Sequence, residues 1–187
     1  MDKHTDRDYC LTLLHEYTKS ISLRKHAYAV EICMREYARK FNENENYWGN
    51  VGLLHDFDYE KYPTAEEHPL KGGEILRELG FENSFVDSIL SHCDRTEVKR
   101  DTVLRKVLFA VDELSGFITA VALVRPSKSV MEVNVKSVKK KMKDKAFAKQ
   151  VNRDDIINGA KELQIDLDEH IDFCINAMQK GRNLLEL

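Results

Sequence analysis

The chain has 187 residues, a length suited to one domain with a sizeable core. Its composition, 42% hydrophobic and 33% charged, excludes a disordered chain, and its 8 glycines and 3 prolines leave few turn signals for a β-rich fold. A formal net charge of -3 argues against a general nucleic-acid binder, and no apolar run approaches the roughly 20 residues that a membrane helix needs.

Cys10, Cys33, Cys93 and Cys174 are scattered without a CxxC pair and read as reduced thiols. The polar start Met1-Asp2-Lys3-His4 lacks the apolar segment of a signal peptide, so a cytoplasmic location is expected.

The spacing predicts an all-α chain. A first helix spans 6–18, with Tyr9, Leu13, Leu14 and Tyr17 on one side. Thr18 to Ser22 offers a break with N-cap residues. A second helix runs from about Leu23 to Phe41, its inward stripe formed by Leu23, Ala27, Val30, Met34, Tyr37 and Phe41. His26 points inward with that stripe, as a core histidine bonded to a carbonyl or as a ligand.

After a polar loop at 42–46, a third helix carries Tyr47, Trp48, Val51, Leu54 and His55. Gly49 and Gly52, three apart, permit a close neighbour there. Phe57 to Pro63 reads as a turn at the mouth of a site. Thr64 to Glu67 has the capping-box pattern, and a helix from about Pro69 to Leu79 ends at Gly80. Pro69 keeps His68 out of the helical region. Ser84 is placed to cap the next helix, with His92 near its end, and 94–101 is charged and irregular.

The longest helix covers about Thr102 to Val124 and ends before Pro126. Asp112 falls on or beside its apolar stripe, where it is either a salt-bridge partner or a ligand. Lysines then crowd Arg125 to Lys149, as a solvated helical face or as an anion-binding lip over a phosphate site. Asn152 to Asp155 caps a helix to Leu163, and a last helix carries Leu167, Ile171, Cys174, Ile175 and Met178. His170, among Asp166, Asp168 and Glu169, is expected at the surface. The C-terminal apolar stripes would serve a homodimer or the core.

The organising segment is Leu53-Leu54-His55-Asp56-Phe57. An ionised carboxylate buried beside an imidazole is costly without a neutralising partner, and a metal ion satisfies both groups. His26, His55, Asp56, His68, His92 and Asp112 all fall on or beside predicted helix faces. Imidazole with carboxylate suits iron, manganese, cobalt, nickel or zinc, whereas magnesium prefers an all-oxygen shell.

His26, His55-Asp56 and Asp112, in this order on an all-α chain, resemble the HD superfamily of metal-dependent phosphohydrolases. His68 in His-Pro-Leu-Lys-Gly-Gly and His92 in Ser-His-Cys-Asp resemble its dinuclear subgroup, and Val111-Asp112-Glu113-Leu114-Ser115-Gly116 looks like a bacterial group of predicted HD hydrolases. The likeness covers about 20–125, while 126–187 follows no HD motif.

The resemblance implies a single HD-type helical bundle over 1–187 with the metal site between core helices. It implies one metal held by His26, His55, Asp56 and Asp112, with Asp56 bridging to a second held by His68 and His92. The cofactor would be one or two divalent transition metals per chain, iron foremost. The reaction would be attack of a metal-activated hydroxide on a small phosphomonoester or nucleotide. Asp56 and Asp112 would be catalytic, with Asp58 or Glu113 handling protons. Many members carry a lysine where this chain has Tyr59, so Lys61, Lys71 or Arg125 would bind the phosphate instead. A di-iron oxygenase cleaving C–P or C–C bonds, and a non-catalytic nucleotide sensor, share the ligand pattern.

Overall fold

Ten α-helices and two single-turn 3-10 helices make up the regular structure of residues 3–187, which the computed structural model describes. Met1 and Asp2, the start of the polar N-terminal stretch, lie outside the described residues. The helices are α1 (Arg7–Tyr17), α2 (Ile21–Phe41), α3 (Glu45–Leu54), α4 (Leu70–Glu78), α5 (Asn83–Leu90), α6 (Val103–Leu123), α7 (Val135–Met142), α8 (Arg153–Glu162), α9 (Leu167–Lys180) and α10 (Arg182–Leu185). No strand occurs among the described residues, so the chain is all-α. No helix among them is long and apolar enough to cross a membrane.

Side-chain caps set the helix starts. Ser20 caps α2, Asn44 accepts from the Asn46 and Tyr47 amides, Thr102 caps α6, and Asn152 and Asp166 cap α8 and α9. Each cap stabilises its helix by about 1 kcal/mol by satisfying an otherwise orphaned N–H. Two starts differ from expectation. Helix α5 begins after Glu82, and Ser84 Oγ instead reaches Glu82 Oε2 at 3.3 Å. Helix α4 begins at Leu70, preceded by a cis His68–Pro69 peptide. Its end matches the glycine signal one residue on: Leu79 closes the helix and Gly80 turns with φ of 78°.

Helices α2 and α6 form the centre. Helix α3 packs along α2, α8 along α6, and α9 touches both. Small residues allow this closeness. A Cβ built on Gly52 would lie 3.2 Å from the Glu31 backbone in α2. One built on Gly159 would lie 2.5 Å from Ala110 Cα in α6. Ala27, Val30, Met34 and Tyr37 from α2 meet Val107, Val111, Leu114 and Ile118 from α6 in one continuous core. Fully burying a large apolar side chain contributes about 1.5–3 kcal/mol, so this interface holds the bundle together.

Residues 126–187 join the same core through Val130, Val138, Ile156, Ile171 and Met178. The C-terminal stripe of Ile171, Cys174, Ile175 and Met178 is therefore buried rather than presented to another chain. The basic stretch is a solvated face: Lys139 Nζ lies 2.6 Å from Asp168, and Lys141 Nζ lies 4.6 Å from the Phe147 ring centre.

His170 is fully buried, contrary to the surface position expected of it. It precedes Cys174 by four residues and follows Leu167 by three, which turns it to the apolar face despite its acidic neighbours. Its ring is satisfied there. Nε2–H donates to Ala110 O at 2.9 Å, and Nδ1 accepts from the Tyr37 hydroxyl at 2.7 Å. Burial lowers its pKa to about 4, so it stays neutral.

Candidate metal centre

Five helices, or the turns at their ends, bring the six ligand-type residues together. Helix α2 supplies His26 and α6 supplies Asp112. His55 caps the end of α3, and Asp56 begins the turn that follows it. His68 lies just before α4, and His92 follows α5 in a turn. They fall into two groups, each close enough to hold one ion: His26, His55 and Asp112, then Asp56, His68 and His92.

Asp56 stands between the groups. Its Oδ1 lies 3.2 Å from His68 Nε2 and 3.3 Å from His92 Nε2. Its Oδ2 lies 3.4 Å from His55 Nε2 and 3.9 Å from His26 Nε2. Asp112 Oδ1 lies 3.1 Å from His26 Nε2 and 3.3 Å from His55 Nε2.

The far side of three rings fixes which nitrogen is bare. His55 Nδ1 lies 2.8 Å from Gly52 O, His92 Nδ1 lies 2.6 Å from Ile89 O, and His68 Nδ1 lies 2.9 Å from Asp58 Oδ1. These oxygens only accept, so each Nδ1 carries the hydrogen. In the neutral rings, every Nε2 then aims a lone pair at carboxylate oxygens that also offer only lone pairs. His55 Nε2 is buried and makes no hydrogen bond. A cation between the rings and the carboxylates resolves the conflict. The donor set, imidazole nitrogen with carboxylate oxygen, fits a divalent transition metal.

Without an ion, protons take that role. Burial opposes charge on His55 and His68, yet Asp56 and Asp112 raise His55 well above its ordinary value, and Asp56 and Asp58 raise His68 to about 9. Burial likewise opposes ionisation of Asp56, but the histidines, His55 foremost, hold its pKa well below the usual carboxylate range.

Asp58, expected to handle protons, does not face the cavity. Its side chain is 1% exposed, with Oδ1 on His68 and Oδ2 accepting from the Gly72 N–H at 2.9 Å. It is a positioning residue for the His68 ring.

The groups border a cavity of about 570 Å3. The cations expected to bind phosphate do not line it. Lys61 Nζ sits 3.7 Å from the Tyr17 ring centre, and Lys71 pairs with Glu74 at 2.6 Å. Arg125 lies past the end of α6, about 20 Å of helical rise from Asp112. Instead Tyr59, Arg95, Glu113, Asn152 and Asp155 line the walls. Tyr59 comes from the turn expected at the mouth of the site, and Arg95 from the charged, irregular stretch 94–101. Asn152 and Asp155, at the start of α8, carried a helix-cap signal but none that pointed to the site. Burial, and then the neighbouring Asp112, raise the Glu113 pKa to about 7.

No protein family, curated protein or solved structure matches this chain in the comparisons made.

Proposed function

We propose that the protein is a metal-dependent phosphohydrolase of the HD type, acting on a small phosphomonoester or nucleotide-type substrate. The observation that carries this reading is the convergence of imidazole Nε2 atoms on Asp56 and Asp112, with His55 Nε2 buried and unbonded among them. His26, His55 and Asp112 would hold one divalent transition metal, and Asp56, His68 and His92 a second. When bound, such ions lower the pKa of water toward about 7 and neutralise charge developing on a phosphoryl oxygen.

The chain's own groups do the positioning. Gly52 O, Ile89 O and Asp58 lock three rings in the tautomer that leaves Nε2 free. Asp56 turns one oxygen to each group, which holds the two at a fixed separation. The Arg95 guanidinium is tied by its Nη2 to His68 O at 3.3 Å, and it is the one arginine or lysine on the cavity wall among the described residues. It is placed to meet an anionic substrate.

The test is phosphate release from p-nitrophenyl phosphate and nucleoside monophosphates by manganese- or zinc-loaded protein under anaerobic conditions. Turnover that disappears in Asp112→Ala, together with lowered metal content, supports the reading. Full activity with full loading in that variant overturns it. So does the absence of turnover alongside iron-dependent O2 uptake, which marks the oxygenase chemistry.

A further inference from the structure

Gly116 stands in the interior of α6, one turn after Asp112, on the wall of the cavity. A glycine in a helix interior is destabilising relative to alanine, so it calls for a reason. Close packing supplies the reason elsewhere. A Cβ on Gly52 would lie 3.2 Å from the backbone of α2, and one on Gly159 would lie 2.5 Å from that of α6. At Gly116 packing makes no such demand. A Cβ there would meet only the His26 ring, 3.6 Å from Nδ1 and 3.8 Å from Cε1, which is ordinary van der Waals contact. Nor does the backbone require it, because among the described glycines only Gly80 has a positive φ.

The ring that faces Gly116 also carries an unmet donor. Nδ1 of His55, His68 and His92 each donates to a protein oxygen, whereas among the described residues nothing accepts from Nδ1 of His26. A neutral ring whose Nε2 serves a metal carries its hydrogen on Nδ1, and that hydrogen is ordinarily given to an acceptor. The His26 side chain is 23% exposed and lines the cavity, so the cavity is where the acceptor enters. Nδ1 and Nε2 lie on different edges of the imidazole. An oxygen bound at Nδ1 therefore belongs to the organic part of a substrate whose phosphoryl group sits at the metal groups.

We propose that Gly116 keeps open a notch against His26, in which a hydroxyl oxygen of the substrate accepts from Nδ1–H. Gly116 is then a specificity-determining residue, and the substrate is a polyol-type phosphate, sugar phosphates included, rather than a simple alkyl phosphate. The inference rests on the phosphohydrolase reading for the phosphoryl end.

The test is calorimetric binding of inorganic phosphate, 2,3-dihydroxypropylphosphonate and 2-methylbutylphosphonate to the manganese-loaded full chain. The two phosphonates have the same branching and differ in carrying hydroxyl or methyl groups. The expected result is that the hydroxylated probe binds about fivefold tighter or more. Gly116→Ala should bring that ratio near one, with metal equivalents and affinity for inorganic phosphate as in the parent. Its unfolding temperature should equal or exceed that of the parent, because alanine removes the conformational cost of glycine. Equal affinities for the two phosphonates in the parent overturn the inference, place water at Nδ1 and leave the phosphohydrolase reading standing. So does a preference retained in Gly116→Ala. A lower unfolding temperature in that variant also overturns it, because Gly116 would then be a packing residue. Binding of none of the three probes to fully loaded protein overturns the phosphoryl-site reading, and this inference with it.

Discussion

Asp58→Asn separates positioning of a ligand from ligation itself. In the parent, one buried carboxylate accepts two hydrogen bonds, from His68 Nδ1–H and from the Gly72 amide, each at 2.9 Å. An asparagine offers one acceptor oxygen and one NH2 group in the same place. If the NH2 faces Gly72, two donors meet in a buried site, at a cost of about 1–3 kcal/mol. If it faces His68, that ring must shift its hydrogen to Nε2, and a lone pair aimed at Asp56 is lost. Loss of such a support lowers metal affinity about 10–100-fold, or ~1.4–2.7 kcal/mol. The effect should fall mainly on one group, because the Asp58 carboxylate is bonded to His68 and the Gly72 amide and not to His26, His55 or Asp112. A metal titration of Asp58→Asn should show one equivalent binding as in the parent and the other weakened by that factor. Equal weakening of both equivalents, or of neither, refutes the assignment of Asp58 as the support of His68.

The pH dependence has a definite sign. His55 and His68 have folded pKa values above the ordinary histidine value of about 6.5, His68 near 9. Their protonation stabilises the metal-free chain fully below about pH 6.5, and this contribution is lost as pH rises toward 9. Metals compete for the same lone pairs, so apparent metal affinity should rise across that window. Affinity that is flat with pH contradicts the tautomer assignment. Loading should also raise the unfolding temperature: a metal at 100 times its Kd adds about 2.7 kcal/mol, or roughly 5–11 °C for a domain of this size. A calorimetric scan showing no rise contradicts a built site. Gly159→Ala should destabilise the fold by about 1–3 kcal/mol, because its Cβ would lie 2.5 Å from Ala110 Cα. Urea unfolding with an unchanged midpoint contradicts close packing of α8 on α6.

Much of the bundle is legible in the sequence because apolar spacing and caps agree. Ser20, Asn44, Thr102 and Asn152 mark helix starts, and the stripes of α2 and α6 become the central interface. The six ligand-type residues are legible for another reason. A histidine or aspartate on an apolar helix face demands a partner, and several such demands can be met at one point. What escapes is direction. The acids around His170 hide that its three- and four-residue neighbours are apolar. Asp58 lies two residues from Asp56, but the turn aims it behind His68. Lys61, Lys71 and Arg125 are near in sequence or composition, yet each side chain is spent elsewhere or lies beyond reach. Glu113 and Asp155 face one cavity only because α8 packs on α6, a contact that no local pattern encodes.

The most direct measurement is the number of transition-metal equivalents per chain, by elemental analysis of protein purified anaerobically and again after reconstitution. The account predicts two equivalents. It predicts a substantial loss in His55→Ala, whose ring supplies the buried and unbonded Nε2. A chain that takes up no metal under either condition contradicts the account, whatever its other properties.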